Sequence, residues 1–283
     1  MSILKTLRND VRKLLLEALI DDVDLETRLL ITETLQISAI DYALCPEREV
    51  SEKEVERVMI NTQKRAKRQP LSQIFTKKEF WSLNFKVTPD TLTPRPDSET
   101  LIEAVMQHFK DKEAELSILD LGTGTGCLLL SLLHEYPSAT GVGIDISKKA
   151  LSVAHENAKS LKLDGRATFT EGDWTGPLGK DMRFDIIICN PPYISFHERE
   201  SLDPDVRDYE PASSLFAAQD GLAEYQRLAK QMGFYLSKNG LMVLEIGYRQ
   251  ADCVKKIFTS NGFNNITLYK DLGGRDRCLV IEK

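Results

Sequence analysis

Apolar residues recur at helical spacing from the start of the chain. Ile3, Leu4, Leu7, Val11, Leu14, Leu15 and Ala18 share one face of a first predicted helix. A second is predicted after Asp24, with Leu25, Leu29, Leu30 and Thr34 turned inward and Ile37, Ile40 and Leu44 carrying the pattern on to Pro46. Ser51 and Glu54 form a capping box, and Val50 with Val55 supplies the hydrophobic staple. A third helix is therefore predicted to about Arg68, with Val55, Val58, Met59 and Thr62 as its buried stripe. From Gln73 to Val87 the period shifts toward two, as Phe80, Ser82, Asn84 and Lys86 interleave with Trp81, Leu83, Phe85 and Val87, which predicts a hairpin. The prolines of Thr93-Pro94-Arg95-Pro96-Asp97-Ser98-Glu99 stiffen a loop, and the next helix is predicted from about Asp97.

Strands then alternate with helices. Strands are predicted over 117–120, 141–145, 167–171, 184–189, 241–246, 266–269 and 278–281, and helices over 126–135, 148–161, 221–236 and 250–261. That alternation predicts an α/β fold, a doubly wound and mostly parallel seven-stranded sheet, with a small helical domain in front of it. Residues 270–277 are too few for a helical crossover, so the last two strands should pair antiparallel at one edge. The expected domains are a helical one over 1–72, a β-hairpin linker over 73–96 and a catalytic one over 97–283.

One strand ends unusually. Phe184-Asp185-Ile186-Ile187-Ile188-Cys189 is a buried-strand pattern that stops at Asn190-Pro191-Pro192-Tyr193. Two prolines cannot continue a ladder, so the chain leaves the sheet at Asn190 and sets an amide and an aromatic ring at the strand's carboxyl end, where open α/β sheets bind ligands.

Composition narrows the possibilities without naming a chemistry. A net charge of −6 and a pI near 5.4 argue against a protein that grips nucleic acid through many phosphates. The cluster Lys64, Arg65, Lys67 and Arg68, followed by Lys77 and Lys78, reads as a solvated helix end or as a docking patch for a partner. Cys45, Cys127, Cys189, Cys253 and Cys278 form no CxxC pair and are expected to be buried or half-buried structural thiols; with four scattered histidines, no metal site is expected. The charged first ten residues lack a signal-peptide core and no apolar run is long enough for a membrane span, which sets the expectation of a cytoplasmic protein with no membrane contact.

Ile118-Leu119-Asp120-Leu121 runs into Gly122-Thr123-Gly124-Thr125-Gly126, a strand entering a glycine turn. The spacing is G-x-G-x-G, and Asp120 precedes it; a pyrophosphate would be poorly served there and a cation well served. Asp145 closes the next strand, where an acid takes both hydroxyls of a ribose. Asp173 and Trp174 follow the third, placed to accept from an adenine amino group and to pack on the base. Together they describe a positively charged nucleoside without phosphates, which S-adenosylmethionine satisfies and NAD, FAD and ATP do not.

With these motifs the sequence resembles the class I S-adenosylmethionine-dependent methyltransferases, and Asn190-Pro191-Pro192-Tyr193 resembles the motif of those that methylate a planar amino or amide nitrogen. Arg68-Gln69-Pro70-Leu71, Glu79-Phe80, the 93–99 loop, Tyr209-Glu210-Pro211, Asp220-Gly221-Leu222, Glu245-Ile246-Gly247 and Gly274-Arg275-Asp276-Arg277 extend the resemblance to the HemK/PrmC release-factor glutamine methyltransferases over nearly the whole chain. The loop reads Pro-Arg-Pro-Asp-Ser-Glu where Pro-Arg-Pro-Glu-Thr-Glu is usual in that family, and Ile74-Phe75-Thr76 stands where a glycine is usual after Leu71.

The resemblance implies a substrate, the glutamine of the Gly-Gly-Gln tripeptide in peptide-chain release factors. It implies that Gly122, Thr123, Gly124, Thr125, Gly126, Asp145, Trp174 and Asn190 contact the cofactor, and that Asn190, Pro191, Pro192 and Tyr193 hold the glutamine. Asn190, Pro191 and Tyr193 are the expected catalytic residues. The helical domain is expected to dock the protein substrate, the chain to be a monomer, and nucleic acid not to be bound directly. Three other readings remain: glutamine methylation of a ribosomal protein, amino methylation of adenine or cytosine in nucleic acid, and a non-catalytic module that binds S-adenosylmethionine.

Overall fold

The computed structural model describes residues 2–283. They divide into two compact units, one of residues 2–76 with Pro204–Tyr209 and one of Lys77–Asp203 with Glu210–Lys283.

The first unit is built on helices α1 (Leu4–Glu17), α2 (Val23–Leu35), α3 (Ala39–Leu44) and α4 (Glu52–Ala66). Its core is Leu4, Leu7, Val11 and Leu15 against Leu30, Ile31 and Val58. The Ser51 capping box opens α4, with Ser51 N–H donating to Glu54 and Glu54 N–H to Ser51. The second predicted helix is two helices. Gln36 turns left-handed at φ 53°, and Ser38 starts α3 by accepting the Asp41 N–H at 2.9 Å. The buried face of α2 is Val23, Thr27, Leu30, Ile31 and Thr34, while Leu25, Ile40 and Leu44 are exposed.

Arg65 is not part of a solvated helix end. It is 5% exposed and pairs with Glu26 at 2.5 Å and with Asp205 at 2.7 Å. Tyr209 donates its hydroxyl to Lys67 O and accepts from Gln73 at its carbonyl, so residues 204–209 are held by polar contacts on three sides.

The second unit opens with the hairpin β1 (Lys77–Phe80) and β2 (Leu83–Lys86). Trp81 and Ser82 turn it, both at positive φ. Glu99 accepts the Trp81 N–H and Glu135 accepts its indole N–H, each at 2.8 Å, which holds a conformation these residue types rarely adopt. A single 3₁₀ turn, Pro96–Ser98, precedes α5 (Glu99–His108). There follow β3 (Ser117–Leu121), α6 (Cys127–Glu135), β4 (Thr140–Asp145), α7 (Lys148–Ser160), β5 (Ala167–Glu171) and β6 (Phe184–Cys189). The chain ends through α8 (Ala223–Tyr235), β7 (Leu236–Glu245), α9 (Ala251–Ser260), β8 (Asn265–Lys270) and β9 (Asp276–Glu282).

The seven strands lie in the order β8-β9-β7-β6-β3-β4-β5. β7, β6, β3, β4 and β5 are parallel, and the reversed strand is β9, antiparallel to β7 on one side and β8 on the other. Ile118, Ile186, Ile188 and Val243 face a core completed by Leu101, Leu129 and Ala154 of α5, α6 and α7. Leu119, Leu121, Ile187 and Leu244 face the opposite core, with Tyr225, Leu228, Val254 and Phe258 of α8 and α9. Chain order reverses between β3 and β6, and that switch point opens a crevice at the strands' carboxyl ends.

Cys189 and Cys278 are buried and Cys127 half-buried, but Cys45 and Cys253 are exposed, so the expectation of five buried or half-buried thiols fails at two positions. Among the described residues no helix is long and apolar enough to cross a membrane.

Candidate active site

A cavity of about 490 Å³ occupies the switch-point crevice. Gly122, Thr123, Gly124 and Thr125 after β3, Asp145 at the end of β4, Asp173 and Trp174 after β5, and Asn190 and Pro192 after β6 all line it. Gly126, Pro191 and Tyr193 do not. Gly126 sits under α6 at φ 80° and Pro191 is buried, while Tyr193 is turned toward the interior by its hydroxyl.

The glycine turn is held from below. Gly122 and Thr123 both donate to Ile144 O, at 2.8 and 2.9 Å, and Gly122 and Gly124 adopt φ of 71° and 55°. Asp120 is fully buried beneath the turn. Thr123 donates to its Oδ2 at 2.6 Å, and its Oδ1 has no hydrogen-bond partner. Burial pushes this carboxyl up to about 7, with the Thr123 bond opposing the shift and Asp145 adding to it. Asp145 accepts the Gly124 and Ser147 N–H groups.

The base side is braced by charge. Trp174 stands at φ 51° and donates its indole N–H to Glu224 at 2.7 Å. Arg227 bridges Glu224 at 3.0 Å and Asp173 at 2.6 Å. The indole lies 3.6 Å from where a Cβ on Gly122 would be, so ring and glycine turn face one another. A half-paired buried carboxylate, a turn without Cβ atoms, an acid and an aromatic wall together fit a cationic nucleoside.

On the opposite wall Asn190 donates through Nδ2 to Ser98 Oγ at 3.3 Å. Asn190 itself lines the cavity. Ser98 donates to Glu245 Oε2 at 2.5 Å, and Tyr193 OH donates to Glu245 Oε1 at 3.0 Å. Burial pushes the Glu245 carboxyl up, opposed by the Ser98 bond, by Arg277 and by Tyr193. Burial, then the charge of Glu245, pushes the Tyr193 phenol up. Gln250 donates to Tyr193 O at 3.0 Å and fixes the loop's exit. In the 93–99 loop Arg95 pairs with Glu210 at 3.1 Å, and the same carboxylate accepts the Thr93 N–H.

Ser98, Glu210, Glu224 and Glu245 were not singled out as site residues from the sequence. Three of them lie in motifs that carry the family resemblance; Glu224 has no local signal, being one acid on an amphipathic helix.

A methyltransferase-domain model matches residues 112–270, and a PrmC N-terminal domain model matches residues 6–75. The chain is 38% identical over 264 residues to a release factor glutamine methyltransferase of Caulobacter vibrioides, covering 93% of this chain and 91% of that one. It is 38% identical over 275 residues to one of Agrobacterium fabrum, covering 96% and 94%. A 16S rRNA methyltransferase of T. thermophilus, solved with AdoMet and guanosine, superposes with a TM-score of 0.53 at 20% identity, over 73% of this chain and 49% of that one, a likeness of fold.

Proposed function

The chain belongs to the release factor glutamine methyltransferase family, and from that premise we propose that it transfers a methyl group from S-adenosylmethionine to the side-chain amide nitrogen of the Gly-Gly-Gln glutamine of peptide-chain release factors. The observation that carries the reading is Asn190: it lines the cavity and its Nδ2 is tied to Ser98, so that its Oδ1 is the end of the amide we assign to the substrate.

When bound, S-adenosylmethionine supplies an electrophilic methyl group on a sulfonium centre. The lining residues Gly122–Thr125, with the Asp120 carboxyl buried behind them, would take its charged end, Asp145 its ribose, and Asp173 with Trp174 its base. An amide nitrogen is a poor nucleophile because its lone pair is delocalised into the carbonyl. Asn190 Oδ1 and the Pro191 main-chain carbonyl each accept one N–H of the substrate amide, which orients the nitrogen and returns electron density to it as the C–N bond forms. Pro192 and Tyr193 hold those acceptors in place, Tyr193 through Glu245, and exclude water from the loop. The proton then leaves the nitrogen to a carbonyl acceptor or to solvent.

The domain assignment is part of the same proposal. Residues 1–72 dock the release factor, 73–96 link, and 97–283 carry the chemistry. The test is incubation with methyl-labelled cofactor and, separately, release factors, nucleic acid and ribosomes. Label in release-factor glutamine supports the reading, and label in nucleic acid alone overturns it.

A further inference from the structure

We propose that Ser98 and Glu245 are positioning residues which decide the end of the Asn190 amide that faces the substrate; this rests on the glutamine-methylation reading. A carboxamide has nearly the same shape whichever way it is turned, but only Oδ1 accepts from a substrate NH₂. Turned over, Asn190 would set donor against donor.

Ser98 resolves the choice. Its hydroxyl has one proton, and an ionised Glu245 holds that proton on the 2.5 Å bond between them. Toward Asn190 the oxygen therefore offers only lone pairs, so Nδ2 must face it, at 3.3 Å. Oδ1 is left for the cavity. Ser98 also directly precedes α5, where a serine hydroxyl commonly caps the helix by accepting a first-turn N–H; it makes no such bond. Local helix stability does not use this hydroxyl.

Glu245 is 2% exposed, and its two oxygens take hydroxyls from the two loops that frame Asn190, Ser98 on one side and Tyr193 on the other. An ionised Glu245 accepts both. A glutamine there would present an NH₂ group to one of them; facing Ser98, it would turn the serine proton toward Asn190 and release the amide to rotate.

Kinetics and the Asn190 side-chain amide signal, followed in ¹⁵N-asparagine-labelled ligand-free protein and identified by its loss in Asn190→Ala, test this together. Ser98→Ala should lower kcat roughly 10- to 100-fold, the scale of losing a hydrogen bond to a charged chain, with KM for the release factor nearly unchanged. Ser98→Thr should restore most of the rate. Glu245→Gln should slow the enzyme similarly, and the double variant Ser98→Ala/Glu245→Gln should lose less than the product of the two. The Asn190 signal should shift and exchange faster with solvent in Ser98→Ala and return in Ser98→Thr. A folded Ser98→Ala protein with wild-type kcat, an unmoved Asn190 signal, or a folded Ser98→Thr as slow as Ser98→Ala would overturn the proposal. If wild-type protein methylates no release factor while the Asn190 signal responds as described, the functional reading falls and the positioning stands.

Discussion

Asp145 and Gly124, both of which line the cavity, are bound to each other, the glycine nitrogen lying 2.8 Å from Oδ2 of the carboxylate. Oδ1 accepts the Ser147 N–H at 2.9 Å, so one side chain fixes both the glycine turn and the start of α7. The oxygens' remaining lone pairs are available to a ribose. Asp145→Ala should therefore weaken cofactor binding roughly 10- to 100-fold, by losing ligand contacts and by loosening the turn. At saturating cofactor, kcat should stay within a few-fold of wild type. Calorimetry returning an unchanged affinity would refute the ribose assignment.

Asn190→Ala should do the reverse. With the preorganised acceptor gone, methyl transfer should fall roughly 10²–10³-fold while cofactor affinity changes less. Single-turnover rates measured with the cofactor in excess separate the two effects, and near wild-type turnover would sink the proposed role.

Asp120 makes the stability of the ligand-free protein depend on pH. Its carboxyl stands at about 7 in the folded chain against an ordinary 3.8, so the unfolded chain releases this proton first. The contribution is complete below the ordinary value, declines as pH rises, and is gone above about 7. Melting temperatures of wild type and Asp120→Asn across that window should converge at low pH and separate as pH rises, the variant holding its stability better. A cation in the cavity favours the ionised form, so cofactor binding near neutral pH should release protons. Heats that do not differ between buffers of unequal ionisation enthalpy would contradict this.

Gly221 is where backbone freedom is needed most. It stands at φ 82°, and an added Cβ would lie 2.0 Å from Tyr193 O. Gly221→Ala should cost about 2–4 kcal/mol, combining left-handed strain with displacement of the Asn-Pro-Pro-Tyr loop. Gly165→Ala, with nothing within 4 Å of its Cβ, is the matched control and should be neutral or slightly stabilising. Equal melting temperatures for the two variants would refute both the strain and the displacement.

The sheet and the glycine turn were legible because their causes are local. Each buried strand is a short apolar run, and Gly122, Gly124 and Gly126 announce a turn by composition alone. Asn190 was visible because two prolines must end a strand. The polar bracing was not, since a bond such as Ser98 to Glu245 joins residues 147 positions apart and leaves no period in the sequence. Arg65 sat in a run of cations and read as solvated, yet its partners lie 39 positions before it and, at Asp205, far beyond it. Leu25, Ile40 and Leu44 misled for the opposite reason. Apolar side chains do occur on surfaces, and the Ser38 cap outweighed the run that seemed to continue through it.

The six residues Pro204–Tyr209 belong to the helical unit although they lie deep in the second half of the chain. A cut after Thr76 would therefore not yield a clean half. It would strip Asp205 of Arg65, and Tyr209 of Lys67 and Gln73, leaving a half-exposed stretch without its polar partners in the middle of the second unit's sequence. Separately expressed pieces of this chain should thus each lose stability, and exchange of the helical unit, placed first in sequence, should require its distant six residues to come with it.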